Sequence, residues 1–198
     1  MIAAGPDAPQ VPPAAAARGL RLVEGVVGED TERELLAWIE AHPGPWERPR
    51  LRPGLPEANR EMLCFGWDYV TQGRGLREGA PIPPLLATTR DDCAKAAGLD
   101  PSPFEQLIVT RYRPGAGINW HTDAPVFGPV VMTLSLGSDW RMDFNECGTR
   151  PDFRVPLPRR SLLVLAGEAR TALRHRIPQV KALRHSISLR TIRTRDDG

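Results

Sequence analysis

The chain lacks the features that would place it in a membrane, in a disulfide-stapled secreted class or among cysteine-type zinc proteins. No apolar run is long enough to cross a bilayer. Its three cysteines, Cys64, Cys93 and Cys147, are widely spaced and odd in number, and no C-x-x-C pair occurs. They fit free thiols in a reducing cytoplasm better than a disulfide framework or a zinc site. No internal repeat is visible. Residues 1–17 are rich in Ala and Pro but lack the basic start and unbroken apolar stretch of a signal peptide, so they are expected to be a disordered tail. Histidine is scarce too: His42, His121, His175 and His185 are the whole set.

What is present suits one compact domain over residues 18–198. The chain has 198 residues, of which 41% are hydrophobic, enough for a sizeable core. The net charge of +2 hides an uneven distribution. Met1 to Asp100 holds 11 Lys and Arg against 15 acids, whereas Arg154 to Arg195 holds 11 against one, Glu168. So basic a segment points to an anionic partner, nucleic acid first. The alternative is that these residues merely solvate the outside of a sheet, since clustering in sequence is not clustering in space.

The first half reads as a short strand, Leu20 to Val27, followed by a helix. Thr31 and Glu34 match a capping box, and Leu35, Leu36 and Ile39 supply an apolar face up to Ala41. Residues 46–83 read as irregular, with ten Gly and Pro between Pro49 and Pro83. A second helix fits Pro83 to Gly98, opening at a Pro and closing at a Gly. From Phe104 the pattern changes to short runs broken by Gly, Pro and Asn or Asp: 106–111, 130–136, 140–144, 161–166 and 185–192. This predicts an α+β, mainly β fold: a jelly roll with the N-terminal helices packed on one sheet.

The most informative residues are His121-Thr122-Asp123. On an extended strand, side chains two apart point the same way, so both can reach one metal ion. With one more histidine they form the two-His-one-carboxylate set that holds non-haem Fe(II) and leaves positions open for oxygen chemistry. His175 and His185 are the candidates for that histidine; His42 is a poor one, just after a helix and before Pro43. Arg184 and Arg190 are six apart on one run, hence on one strand face. Two inward guanidinium groups need anions, and a dicarboxylate beside the iron would satisfy both. Ile187, Leu189 and His185 share the opposite face, so periodicity leaves open which face is inward.

Together, H-x-D at 121–123, His175, Arg184-x5-Arg190 and Tyr112-x-Pro-Gly resemble the AlkB family of Fe(II)/2-oxoglutarate dioxygenases. Residues 131–138 and Met142-Asp143-Phe144 look like that family's central strands, and the resemblance spans about residues 18–195. It implies that His121, Asp123 and His175 bind Fe(II), and that Tyr112, Arg184 and Arg190 hold 2-oxoglutarate. It also places Thr110 and Ser186 beside the cosubstrate, at positions where members often carry Asn. The implied chemistry uses O2 to convert 2-oxoglutarate to succinate and to hydroxylate a C–H bond; an N-methyl carbinol then releases formaldehyde. Where repair members carry an acid two residues after the metal-binding Asp, this chain has Pro125.

Residues 46–83 fall where AlkB-like proteins carry a nucleotide-recognition lid. Trp67 and Tyr69 alternate on one strand face and could stack a flipped base; Arg48, Arg50 and Arg52 could meet phosphates. The expected function is oxidative demethylation of N-alkylated bases in DNA or RNA, in repair or RNA modification. The expected enzyme is cytoplasmic and monomeric. The alternatives are the same chemistry on a protein or small molecule, or a non-catalytic nucleic-acid-binding module.

Overall fold

The computed structural model describes residues 11–49, 57–70 and 75–193, apart from the side chains of Tyr69 and Val70. In chain order the elements are α1 (Pro13–Ala16), β1 (Leu20–Val23), α2 (Glu29–Ala41), β2 (Glu61–Val70), β3 (Gly75–Glu78), α3 (Pro84–Ala96), β4 (Gln106–Tyr112) and β5 (Ile118–His121). Then follow β6 (Phe127–Leu136), β7 (Trp140–Asn145), β8 (Phe153–Leu157), β9 (Leu162–Leu165), α4 (Gly167–Thr171), β10 (Arg174–Ile177) and β11 (Arg184–Ile192). A seven-stranded sheet runs β1-β9-β6-β11-β4-β2-β3, and a four-stranded sheet runs β5-β10-β7-β8. The pairings between these strands are all antiparallel. Among the described residues no helix is long and apolar enough to cross a membrane.

The layers follow from two-residue alternation in the central strands. On β6, Met132, Leu134 and Leu136 join Leu107 and Val109 of β4 and Ile187 and Leu189 of β11 in one buried cluster. That cluster is covered by Leu35 and Ile39 of α2 and Leu86 and Cys93 of α3. The other face meets the smaller sheet, where Val131, Leu163 and Tyr112 pack with Met142, Phe144, Val155 and Ile177. Helices, large sheet and small sheet thus form three layers, the expected jelly roll with helices on one sheet. Both faces of β11 are inward: one carries apolar residues to the helices, the other carries Arg184, Ser186, Ser188 and Arg190 to the space between the sheets.

Several boundaries differ from the sequence reading. Part of the expected tail is ordered: Pro13–Ala16 form a helical turn and Ala15 is buried against Leu20 and Leu165. Alanine favours helix, and proline suits its first turn. Helix α2 begins at Glu29 with Gly28 at its N-cap and no side-chain cap, so Thr31 lies inside the first turn. Glu29, Asp30 and Glu32 stabilise that turn by facing the positive end of the helix dipole. The stretch 46–83 is not irregular throughout, since β2 and β3 extend the large sheet from β4. Gly66 permits this: at φ 75° a Cβ would lie 1.9 Å from the Glu105 carbonyl oxygen.

Candidate metal centre

His121 ends β5 and His175 sits on the neighbouring β10, directly opposite in register. Their ring centroids are 4.3 Å apart. The approach depends on Gly117, where a Cβ would stand 2.6 Å from the Ile177 carbonyl oxygen; any side chain there would push β5 off β10. Asp123 follows two residues on, and one ligand atom from each of the three lies within 4.8 Å of the others.

The protonation states suit a cation. Burial pushes the Asp123 carboxyl up, but Arg190 first, then His175, His121 and Arg170, hold it down at about 2. It is therefore a carboxylate at neutral pH. Burial, then the neighbouring His121, pushes His175 down to about 3. Burial likewise lowers His121. Two neutral imidazoles and one carboxylate are the ligand set that Fe(II) takes. The Nδ1–H of His121 donates to the Asn119 carbonyl at 2.9 Å, which turns Nε2 toward the other two donors. His175 Nδ1 is buried without a hydrogen-bond partner, and its Nε2 stands 3.8 Å from Asp123 Oδ2. This donor set fits Fe(II).

Two flanking arginines hold Asp123 and its loop. Arg190 Nη2 donates to Asp123 Oδ1 at 2.9 Å, and its Nη1 donates to Gln106 Oε1 at 3.3 Å. Arg170, on α4 and 4% exposed, donates to the carbonyls of Gly128, Ala124 and Phe127 at 3.1, 3.0 and 2.8 Å. It pins the turn that follows the H-x-D triplet. Nothing in the local sequence marks it, because its partners are backbone atoms some forty residues away.

Beside the donors lies a narrow inner chamber of about 50 Å³, lined among others by Tyr112, Thr133, Arg184, Ser186 and Arg190. Arg184 is wholly buried; its Nη2 donates to Ser135 Oγ at 3.0 Å, and its Cζ lies 5.2 Å from the Tyr112 ring centroid. Its Nε and Nη1 are buried with no partner, as is Arg190 Nε. Buried guanidinium N–H groups left without acceptors are costly. A dicarboxylate such as 2-oxoglutarate supplies acceptors for them. Ser186 faces the same chamber, and Thr110, its cross-strand partner, lines the space beyond it.

That space is an outer cleft of about 570 Å³ reaching His121 and Asp123. It draws Arg48, Arg60, Cys64, Asp68 and Arg77 from the region expected to form the lid. Arg60 and Asp68 were not singled out from sequence, where the short strand was read for its aromatics Trp67 and Tyr69 alone. Trp67 does not line the cleft. It falls on the β2 face shared with buried Leu63 and Phe65, while Met62, Cys64 and Asp68 take the cleft side. Tyr69 lies on β2, opposite Leu76, with its side chain outside the described residues; Arg50 and Arg52 lie outside them altogether.

The rival histidines are elsewhere. His185 points to the helix side of β11 near Gly137, and burial, then Arg111, pushes it down to about 4. His42 packs against Trp38 and Phe65. Trp120, whose side chain points away from His121, is half buried. It lies on the outer face of the small sheet under Arg176 and Arg174, with Nε1–H donating to the Thr149 carbonyl at 3.3 Å. Among the described residues the small sheet has no further layer of helices, so pointing away from the site there means pointing toward solvent. Pro125 is exposed.

The fold and these donors define a non-haem oxygenase of the jelly-roll type. Residues 19–195 match the model of the 2OG-Fe(II) oxygenase superfamily, and the chain belongs to it. More narrowly, it is an AlkB-family protein by its relatives. It is 30% identical over 175 residues to the tRNA (carboxymethyluridine(34)-5-O)-methyltransferase ALKBH8 of Macaca fascicularis, covering 83% of this chain and 25% of that protein. It is 34% identical over 71 residues to the "Probable RNA/DNA demethylase ALKBH6" of Danio rerio, covering 30% of each. The chain spans about a quarter of the length of the ALKBH8 relatives it matches. Among solved structures, OsALKBH1 superposes with a TM-score of 0.70 at 16% identity, over 88% of this chain and 97% of that one. A Pseudomonas putida prolyl-4-hydroxylase gives 0.64 at 14%, over 90% and 95%. At these identities the solved structures establish the shared fold. The family and the donor set together fit Fe(II), 2-oxoglutarate and O2 as the reaction's cofactor and cosubstrates.

Proposed function

We propose that this chain is a dioxygenase that oxidatively demethylates N-alkylated bases of DNA or RNA, in alkylation repair or RNA modification. The observation that carries this reading is the outer cleft, which opens onto His121 and Asp123 and is lined by Arg48, Arg60 and Arg77 together with the acids Glu47 and Asp68. Its size is in the range of small-molecule sites, suited to a single extruded base. The names of the relatives point the same way: one acts on a tRNA uridine, another is named an RNA/DNA demethylase.

Each residue then has a task. His121, Asp123 and His175 would hold Fe(II). With 2-oxoglutarate and O2, the bound iron supplies the oxidising power that puts a hydroxyl on the substrate methyl carbon. Arg184, through Nε and Nη1, takes one carboxylate of 2-oxoglutarate, with Tyr112 and Ser186 alongside. Arg190 faces the end nearer Asp123, so it both orients the ligand carboxylate and meets the cosubstrate. Thr110 offers a hydroxyl where the chamber joins the cleft. Arg60, largely desolvated and beside Tyr112, offers the substrate a cation, and Asp68 offers an acceptor for a base N–H. Closure of this chamber between two sheets keeps water from the reacting centre.

The test is formaldehyde release across methylated DNA, RNA and peptide substrates, with succinate measured in parallel. Release from oligonucleotides supports the proposal; release from peptides alone moves the enzyme to protein substrates. Anaerobic Fe(II) with 2-oxoglutarate should give a weak visible charge-transfer band, and His121→Ala should abolish it. A wild type with neither band nor succinate would return the chain to the non-catalytic nucleic-acid-binding reading.

A further inference from the structure

Half of the ten basic residues after Arg154 are accounted for. Arg159 and Arg160 pair with Glu32 and Glu29, Arg170 is buried on carbonyl groups, and Arg184 and Arg190 belong to the metal centre. Of the others, Arg174 and Arg176 join Arg141 and Arg154 on one surface. On the small sheet, Met142, Phe144, Val155, His175 and Ile177 point inward, so alternation turns Arg141, Asp143, Arg154, Arg174 and Arg176 outward. Register places Arg154 of β8, Asp143 of β7 and Arg176 of β10 side by side in one row. Trp120 of β5 extends that row, its ring centroid 4.7 Å from Arg176 Cζ and 5.7 Å from Arg174 Cζ.

Three guanidinium groups share one carboxylate, that of Asp143. Asp143 is fully buried beneath them. It accepts from Arg176 Nε at 2.9 Å and contacts Arg176 Nη2 at 2.8 Å, while Arg141 Nε lies 3.1 Å and Arg154 Nε 3.9 Å from its other oxygen. Of the acids on the adjoining turn, Glu146 pairs with Arg18, whereas Asp152 accepts from the Glu146 backbone N–H and keeps its charge. With Arg174 the face carries four guanidinium groups against Asp143, a positive excess that Asp152 only partly offsets, and Arg141 and Arg154 keep 46% and 63% of their side chains exposed. The buried acid fixes the array in place, and planar guanidinium groups match phosphate oxygens in pairs.

We infer that the outer face of the small sheet is a second contact surface, binding the phosphodiester backbone of a single-stranded nucleic acid, with Trp120 as a stacking platform beside it. It takes its partner class from the function proposed above. The row ends on β5, the strand that also carries His121, so a chain whose base enters the cleft can continue along this face. A charged groove with an aromatic beside it is how strands are held without sequence preference.

The test uses the full chain and fluorescent 20-mer single-stranded RNA and DNA, with affinity followed against salt by anisotropy. Each neutralised phosphate contact removes about 0.7 from the logarithmic salt slope of a single strand. Arg154→Gln with Arg174→Gln should lower that slope by about 1.4 and weaken binding roughly 10- to 30-fold at 0.1 M salt. The Lys pair at the same positions should recover most of both. Arg33→Gln with Arg90→Gln, on the helices, should stay within about twofold of wild type. Melting temperature and 2-oxoglutarate binding report that each variant folds. An unchanged slope, an equal loss from the helix pair, or a wild type that binds acidic peptides but no nucleic acid overturns the inference. If no oligonucleotide releases formaldehyde yet binding still depends on Arg154 and Arg174, the surface stands and the demethylase reading falls.

Discussion

At the scale of the residue, the distinction between His175 and His185 shows how far local pattern reaches. Both are buried and both are lowered by burial, but they serve different layers. His175 faces Asp123 across a space that suits a cation; His185 faces the helices, and neither of its ring nitrogens has a hydrogen-bond partner. A histidine buried neutral costs stability once the unfolded chain can take its proton. Because the folded value of His185 is about 4 against an ordinary 6.5, its contribution is intact above about pH 6.5 and is lost as pH falls toward 4. The melting temperature of His185→Leu should accordingly fall less between pH 7 and pH 5 than that of the wild type. Equal slopes for the two would mean that His185 takes up its proton as readily in the folded state as in the unfolded chain. The alternation along β11 was legible in the sequence. Which face met the metal was not, because both faces are buried and only the opposing layers differ.

At the scale of the element, Glu32 ties helix α2 to the strands. It is 1% exposed, accepts from Arg159 Nη2 at 2.7 Å and from the Gly137 backbone N–H at 2.9 Å, and lies 3.7 Å from Arg160. Burial raises its pKa, but Arg159, the Gly137 N–H and Arg160 outweigh this, and the net shift is downward. The stabilisation it supplies is therefore present above the ordinary value near 4.5 and is lost as pH falls through the lower folded value. Glu32→Gln should cost about 2 kcal/mol at pH 7, or roughly 4–8 °C in Tm for a domain of this size. That gap should narrow on acidification; thermal melts at pH 7 and pH 4 read both. Helices α2 and α3 and the strands β4, β6, β7, β9 and β11 were recognisable because their apolar residues recur at the right period. Strands β8 and β10 were not. Pro156 disguises β8, a sheet edge where proline is tolerated. Arg174-His175-Arg176-Ile177 shows no apolar alternation, since one of its two inward positions is a metal-ligand candidate.

At the scale of the molecule, two sheets close on the donors, so the metal centre is part of what holds the layers together. His121 and His175 come from the smaller sheet, Arg184 and Arg190 from the larger. Ligands that bind only the folded state add RT ln(1 + [L]/Kd), about 2.7 kcal/mol at a hundredfold excess over Kd. Fe(II) with 2-oxoglutarate, added without oxygen, should thus raise Tm by roughly 5–10 °C. His175→Ala should remove most of that rise. A rise that survives in the variant would place the metal elsewhere. The charge asymmetry resolves only at this scale: residues adjacent in the basic C-terminal third divide among a helix clamp, a buried turn anchor, the metal centre and one exposed sheet face.

By itself the sequence determined the layer plan, the H-x-D pair and the spacing of Arg184 and Arg190, because each depends on periodicity within a single strand. Tertiary structure decided everything that needs two strands at once. It brought His175 opposite His121, aimed the polar face of β11 at the smaller sheet, and turned Asp68 rather than Trp67 into the cleft. It also left Trp120 under arginines at the surface. These are outcomes of register and of which layer covers which face, and hydrogen-bonded pairing between segments fifty or more residues apart leaves no periodic trace in either segment.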